Sequence, residues 1–367
     1  MRHVSVPVPP GEGRSYPITI GSDLLGAVCA RLQEMQPGRR LFVVTDANVA
    51  GAGHLEALSA GQAVERFVID PPGETSKHWG TVGAILEAME AACLGRDTLV
   101  VGLGGGTVGD IAGFVAAVFK RGVPVAHVPT TTVAQADSAI GGKTGVDSTW
   151  SKNAFGAFWH PVGVFVDVTT PATLDEVQYR SGLVESVKHA LIADAEYFAF
   201  LEENVGALLS REPAVLEELA WRNCRIKAEV VAEDPTEKNR RRVLNYGHTV
   251  GHAVESASGY GLLHGQAVAV GLLAAAWIEE ALGWGGGQRV ERIAGLLETL
   301  GMPLSIPGDQ TVEALMAIMQ RDKKALGGRP QFVLLEAIGR VLCREGQWAQ
   351  PVAPEVVEAA LKRLGAK

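Results

Sequence analysis

Through the first half of the chain, short runs of β-branched and other apolar residues alternate with segments of helical period. Residues 41–45, 98–103, 123–128 and 162–167 are apolar nearly throughout and bounded by loop residues, the mark of parallel strands buried on both faces. Residues 82–94 and 110–119 between them carry the spacing of crossover helices. That alternation predicts an α/β domain over residues 1–170, a Rossmann-like, doubly wound parallel sheet. Past Thr170 the pattern becomes helix after helix, over 183–209, 213–232, 243–256, 266–282, 290–300 and 312–321, so residues 171–367 are expected to form an all-α, mainly helical second domain. The charged stretch 233–242 and the glycine-rich 283–287 read as loops, and 331–336 with 340–343 as a hairpin.

Composition narrows the function classes. With 47% hydrophobic and 20% charged residues over 367 positions, the chain can bury a substantial core. Its 33 Lys+Arg against 41 Asp+Glu leave a formal charge of −8, and no basic run with interleaved aromatics appears, which argues against a nucleic-acid partner. The most membrane-like stretch, 98–119, contains six glycines and Asp110 and suits a strand, turn and helix better than a span, so no membrane partner is expected. Cys29, Cys93, Cys224 and Cys343 form no CxxC pair, and the N-terminus has no signal-peptide pattern; a reducing, cytoplasmic setting fits both.

Several segments carry candidate chemistry. Gly102-Leu-Gly-Gly-Gly-Thr-Val-Gly-Asp110 follows a strand and opens a helix, where backbone N–H groups and the helix dipole can receive a pyrophosphate. It contains GxGxxG as Gly104, Gly106 and Gly109, but the acidic ribose ligand expected about 20 residues later is replaced by Pro129-Thr-Thr, so a non-standard dinucleotide site is the better reading. Asp46 at a strand end suits the ribose hydroxyls, and Pro72-Gly-Glu-Thr-Ser-Lys77 a second wall; a tight turn with close helix packing is the bland alternative for the glycines. Arg241, Asn245, His248, His252 and Glu255, spaced by 4, 3, 4 and 3, are expected on one face of a single helix. A solvated face is the ordinary explanation, yet such faces favour Lys and Glu over His and Asn. Glu185 and Lys188 lie one turn apart on an apolar helix, either as a surface ion pair or, should Glu185 meet His248 and His264, as part of a two-imidazole, one-carboxylate set suited to zinc with an open position. His248 and His252 lack the glutamate of HExxH, which speaks against a metalloprotease. Arg121, Lys143, Lys152, Lys188, Arg241 and the Asp322-Lys-Lys324 pair could form the anion pocket that an acidic protein needs for a phosphate and a carboxylate.

Taken together, these residues resemble the 3-dehydroquinate synthase family of sugar phosphate cyclases over nearly the whole chain. The matching runs include Gly104 to Asp110, Arg121-Gly, Pro129-Thr-Thr, Asp137-Ser-Ala-Ile-Gly-Gly-Lys143, Lys152-Asn153, Gly182-Leu-Val-Glu-Ser-Val-Lys188, Leu244-Asn-Tyr-Gly-His-Thr-Val-Gly-His252 and Leu263-His-Gly, in order and at matching spacing. The resemblance implies a homodimer of dehydroquinate synthase-like fold with NAD and zinc or cobalt as cofactors. It implies metal ligands at Glu185, His248 and His264, and NAD contacts at Asp46, Glu74, Lys77, Gly105, Gly106, Thr107, Gly109, Asp110, Thr130, Thr131 and Thr173, with Lys143 and Lys152 nearby. Substrate-binding and catalytic roles fall on Asp137, Lys143, Lys152, Asn153, Lys188, Lys227, Arg241, Asn245, His252 and Lys323 or its neighbour Lys324, with Arg121 serving the neighbouring subunit. The implied reaction turns 3-deoxy-arabino-heptulosonate 7-phosphate, a phosphorylated heptulosonate, into 3-dehydroquinate and phosphate. It proceeds by transient oxidation, phosphate elimination, re-reduction and intramolecular aldol closure, a step of aromatic amino acid biosynthesis.

Three departures from the family pattern bear on orientation and rate: Gln266 in place of Glu after His264-Gly, Ser148-Thr-Trp-Ser before Lys152-Asn153, and Asp175 where Pro is common. Rival readings are a sister cyclase acting on a related sugar phosphate, a metal-dependent polyol dehydrogenase, and a non-catalytic NAD-binding regulator. An uncharged polyol would not require Lys143, Lys152 and Lys188, and a regulator would be expected to have lost part of the ligand set.

Overall fold

The computed structural model describes residues 1–8, 15–259, 261–321 and 329–367. The chain divides into two compact units, Met1–Leu174 with Pro213–Thr236, and Asp175–Glu212 with Glu237–Lys367. A single cut near residue 170 would leave 213–236 with the helical half; the structure groups that segment with the first unit.

In the first unit the strands are β1 (Arg2–Val6), β2 (Tyr16–Gly21), β3 (Arg40–Asp46), β4 (Glu65–Ile69), β5 (Thr98–Gly104), β6 (Val125–Pro129), β7 (Lys143–Val146), β8 (Phe155–Phe158) and β9 (Gly163–Asp167). Seven of them form one sheet in the order β1-β2-β9-β6-β5-β3-β4, parallel except for the β1–β2 pair. All seven residues of β5 are buried, as are all five of β6 and of β9, which explains their unbroken apolar runs. The helices here are α1 (Leu25–Met35), the short α2 (Ala47–Gly51) and α3 (His54–Ser59), α4 (Trp79–Ala91) and α5 (Gly106–Val118). One face of the sheet carries the core of α4 and α5 around Val82, Ile85, Ile111 and Val115. The other carries α1 and α3 around Leu32, Leu55 and Leu58. The strand order reverses between β3 and β5, so Asp46 and Gly104 flank the point where doubly wound sheets bind ligands. Strands β7 and β8, not expected from the sequence, pair separately as an antiparallel ribbon.

The second unit contributes α6 (Glu176–Ala193) and α7 (Ala195–Leu209). The next helix, α8 (Pro213–Glu233), packs on β1 and β2 and is tied there by ion pairs of Met1 and Arg2 with Glu217 and Glu218. The second unit continues with α9 (His248–Ala257), α10 (His264–Ala281), α11 (Gly287–Thr299), α12 (Val312–Arg321) and, after two small strand pairs, α13 (Pro354–Arg363). The expected helix over 183–209 is two helices, because Asp194 leaves helical geometry and caps the second through Tyr197 N at 2.9 Å. The expected helix over 243–256 is also broken. Arg240–Asn245 forms a 3₁₀ turn, Gly247 sits at φ +75°, and α9 begins only at His248. Residues 335–337 and 340–341 pair as the expected hairpin, whereas 331–332 pairs with 350–351.

Two stability predictions follow from buried or capping side chains. Asp175 accepts from Gln178 N at 2.9 Å and caps α6, so Asp175→Ala is expected to cost about 1 kcal/mol, read as a lower denaturation midpoint. His127 lies within β6, where burial pushes its pKa from 6.5 down to about 4. Above pH 6.5 it is neutral whether the chain is folded or unfolded. Below that, the unfolded chain takes up a proton that the fold excludes, so stability is lost as pH falls toward 4, by up to about 3 kcal/mol. Unfolding midpoints between pH 6.5 and 4.5 should therefore fall more steeply for the wild type than for His127→Gln.

Candidate active site

In the first unit, Gly104 ends β5, Gly105 is the extended residue before α5, and Gly106, Thr107 and Gly109 lie in the helix's first turn. The opening N–H groups of α5 thus lie beside the sheet's reversal point, where an anionic group can take them. Thr130 and Thr131 follow β6 next to this turn: Thr130 N donates to Gly104 O at 3.0 Å, and Thr131 Oγ1 accepts from Ala134 N at 3.2 Å. Asp46 caps α2 by accepting from Val49 N at 2.9 Å, which occupies Oδ1. Thr173 donates to Thr170 O at 3.0 Å, so its 2.9 Å contact with His54 Nε2 has the imidazole as donor.

A polar network gathers beside the glycine turn. Buried Lys77 donates to Asp110 Oδ2 and to Asn153 Oδ1, each at 2.7 Å. Thr107 donates to Glu74 Oε2 at 3.1 Å, and Lys152 lies 3.4 Å from Glu74 Oε1. Burial raises Asp110 to about 6 despite the Lys77 ammonium beside it. For Lys77, burial opposes the charge, but Asp110 and Glu74 outweigh it and the pKa rises. Asn153 is held at φ +52° by an N–H bond to Asp147 Oδ1 at 2.6 Å. The divergent Ser148-Thr-Trp segment is a turn closed on Ser148 Oγ, which accepts from Trp150 N and Ser151 N at 3.1 and 3.0 Å. Lys143 opens β7 on the surface, and Arg121 is exposed with φ +67° in a kink after α5. Asp137 sits in a π-helical turn and pairs with buried Lys227 of α8. Such turns are frequent where a side chain must be aimed.

The second unit holds the metal-type cluster. Glu185 and Lys188 on α6 are each 1% exposed, which discards the surface ion pair. Lys188 Nζ donates to Glu185 Oε2, and the other oxygen, Oε1, lies 3.6 Å from His248 Nε2 and 3.4 Å from His264 Nε2. The three ligand atoms lie within 4.8 Å of one another. A tetrahedral zinc with bonds near 2.0–2.1 Å sets neighbouring ligand atoms about 3.3 Å apart, so the spacing fits such an ion. His248 Nδ1 is 3.0 Å from Tyr246 O; a carbonyl only accepts, so Nδ1 carries the proton and Nε2 presents its lone pair. Burial, then the nearby Lys188 ammonium, pushes His248 well below its ordinary pKa and keeps it neutral. Burial also disfavours charge on His264, but Glu185 and Glu255 outweigh it and raise its pKa to about 9.

His252 stands one turn beyond His248, its ring centroid 5.2 Å from that of His248 and 6.0 Å from that of His264. The expected single stripe is corrected here: Arg241 and Asn245 belong to the 3₁₀ turn ahead of Gly247, and only His248, His252 and Glu255 share α9. Arg241 is 1% exposed, and Asn245 donates to Glu237 Oε1 at 3.1 Å. Lys323 and Lys324 lie outside the described residues. Gln266 Oε1 accepts from Leu263 N at 3.0 Å and caps α10.

What brings the three candidate ligands together is backbone contact between helices. A Cβ on Gly265 would sit 1.8 Å from Ser181 O of α6, and one on Gly271 would sit 2.0 Å from Gly247 O at the start of α9. Sequence reasoning had no signal for the Ser181 contact beyond the small residues themselves.

Residues 67–181 match the family model described as 3-dehydroquinate synthase N-terminal, and residues 182–325 the one described as 3-dehydroquinate synthase C-terminal. The 3-dehydroquinate synthase of Symbiobacterium thermophilum is 43% identical over 96% of this chain and 99% of its own. The chain belongs to the 3-dehydroquinate synthase family. Among solved structures, a 2-deoxy-scyllo-inosose synthase complexed with carbaglucose-6-phosphate, NAD⁺ and Co²⁺ is 26% identical with a TM-score of 0.88, covering 99% of this chain and all of that one. The 2-epi-5-epi-valiolone synthase of Streptomyces hygroscopicus subsp. jinggangensis, with NAD⁺ and Zn²⁺ bound, is 29% identical with a TM-score of 0.85, covering 95% and 96% of the two chains.

Gly265→Ala is expected to push α10 off α6 and separate His264 from Glu185. Its zinc affinity, measured by chelator competition, should fall at least about tenfold, and a variant that binds zinc like the wild type would contradict this.

Proposed function

We propose that this chain converts 3-deoxy-arabino-heptulosonate 7-phosphate to 3-dehydroquinate and phosphate. The observation that carries the reading is the buried Glu185–Lys188 pair facing His248 and His264, in a chain of the 3-dehydroquinate synthase family. Glu185, His248 and His264 would hold the divalent metal, zinc or cobalt. The first turn of α5, with Asp46, Glu74, Lys77, Asp110, Thr130, Thr131 and Thr173, would hold NAD. When bound, NAD supplies a transient hydride acceptor and the metal an electrophile for the oxygen being oxidised.

The chain's own residues bind and orient the substrate. Lys143, Lys152 and Arg121 offer cations to the phosphate and carboxylate, and Asn153 an amide donor. Lys188, already deprived of water, can give a proton or a hydrogen bond to a developing oxyanion at little reorganisation cost. His252, beside the metal ligands but outside their set, is placed to hold charge or a proton on a substrate oxygen. Asp137 fixes Lys227. Homodimeric assembly, a cytoplasmic location, the assistance of Arg121 to a neighbouring subunit and the role of Lys323 belong to the same proposal. No helix among the described residues is long and apolar enough to cross a membrane.

The reading is tested with purified protein, NAD, zinc and 3-deoxy-arabino-heptulosonate 7-phosphate, following phosphate and NADH absorbance together. Stoichiometric phosphate release without lasting NADH is the expected result. NADH accumulating with a polyol would move the chain to the dehydrogenases, and turnover of another sugar phosphate to the sister cyclases. Lys188→Ala is expected to lower phosphate release by about 100-fold or more while zinc stays bound; unchanged turnover would refute its role.

A further inference from the structure

Glu255 is the one member of the helix stripe to which the family resemblance gives no task. It lies on α9, nearly buried, with its Oε2 3.2 Å from His264 Nδ1. His264 is the first residue of α10, and its other nitrogen, Nε2, faces Glu185 Oε1 at 3.4 Å. The imidazole is therefore spanned by two carboxylates, one at each nitrogen. An ionised carboxylate only accepts, so both contacts favour an N–H on the ring; when the imidazole gives up one proton to take a metal, the shorter Glu255 contact keeps the proton on Nδ1 and leaves Nε2, on the Glu185 side, to ligate. His248 reaches the same tautomer through the neutral carbonyl of Tyr246. The two histidines thus present the same nitrogen but lean on acceptors of different charge.

That difference matters because Lys188 sits on the second oxygen of Glu185. The two formal charges cancel, so Glu255 adds the second carboxylate charge beside His264. Gln266, where the family usually has Glu, is engaged with Leu263 N and caps its own helix. We propose that Glu255 is the positioning residue of the metal site, fixing His264 in its metal-binding tautomer and supplying the carboxylate charge that Lys188 removes from Glu185. Carboxylates placed behind ligating histidines typically change metal affinity by about 10- to 100-fold. The inference rests on the metal reading of Glu185, His248 and His264 given above.

The test is zinc affinity by competition with a chromophoric chelator, for wild type, Glu255→Ala, Glu255→Gln and His264→Ala, with ¹⁵N shifts of the His264 ring in the metal-free proteins at pH 10, where the imidazole is neutral. Glu255→Ala is expected to bind zinc about 10- to 100-fold more weakly and to lose the bias toward the Nδ1–H tautomer. Glu255→Gln keeps an acceptor of the same shape, so it should retain the tautomer, fall between wild type and alanine in affinity, and still report if the alanine variant does not fold. Wild-type affinity in Glu255→Ala, alongside its loss in His264→Ala, would overturn this proposal and leave the metal reading standing. So would a glutamine variant no better than alanine in both readouts. Failure of the wild type itself to bind zinc would overturn the metal reading with it.

Discussion

The second unit depends on backbone meeting backbone. Where α10 crosses α6 and α9, the positions of Gly265 and Gly271 have no room for a methyl group, because Ser181 O and Gly247 O already occupy the space. Gly265 N also donates to Ser181 Oγ at 3.1 Å, pinning the first turn of α10 to α6. His264 is the residue before Gly265, and Glu185 lies one turn beyond Ser181 on α6. The same crossings that exclude side chains at the contact therefore set the distance between the candidate ligands. A core of interlocking large side chains could absorb a small shift by changing rotamers, whereas carbonyl-to-glycine contact cannot, and that stiffness suits a cluster that must keep ligand atoms a fixed distance apart.

Both units pair a buried lysine with carboxylates. Lys77 lies between Asp110 and Asn153 in the first, and Lys188 against Glu185 in the second. An isolated ammonium in either place would be costly, and each carboxylate makes it tolerable. In both places the pairing holds the ammonium in a dry setting with its geometry fixed, the condition under which its N–H groups act strongly on a bound phosphate or oxyanion.

The three departures from the family pattern have local explanations. Asp175 caps α6, the helix that carries Glu185 and Lys188. Gln266 caps α10, the helix that begins with His264. Ser148 closes a turn that delivers Lys152 and Asn153 to the network around Lys77 and Glu74. Each substitution keeps a backbone N–H satisfied at a helix start or turn, so the elements bearing the site residues remain in place.

The parallel sheet was legible in the sequence because its central strands are buried on both faces, and nothing but unbroken apolar runs such as 98–103 and 163–167 meets that requirement. The glycine turn at 104–109 and the candidate ligands Glu185, His248 and His264 were legible too, since unusual residue types stand at meaningful spacing. Periodicity could not reveal that the stripe from Arg241 to Glu255 is broken at Gly247, because helical spacing continues numerically through a residue whose backbone has left the helix. Nor could it separate the tasks of His252 and Glu255, which share a face of α9, since what divides them is the position of His264 on another helix. Sequence determined which residue types and which local elements were available. Tertiary structure alone decided which imidazole nitrogen faces which carboxylate, because that depends on helix crossings between segments far apart in the chain.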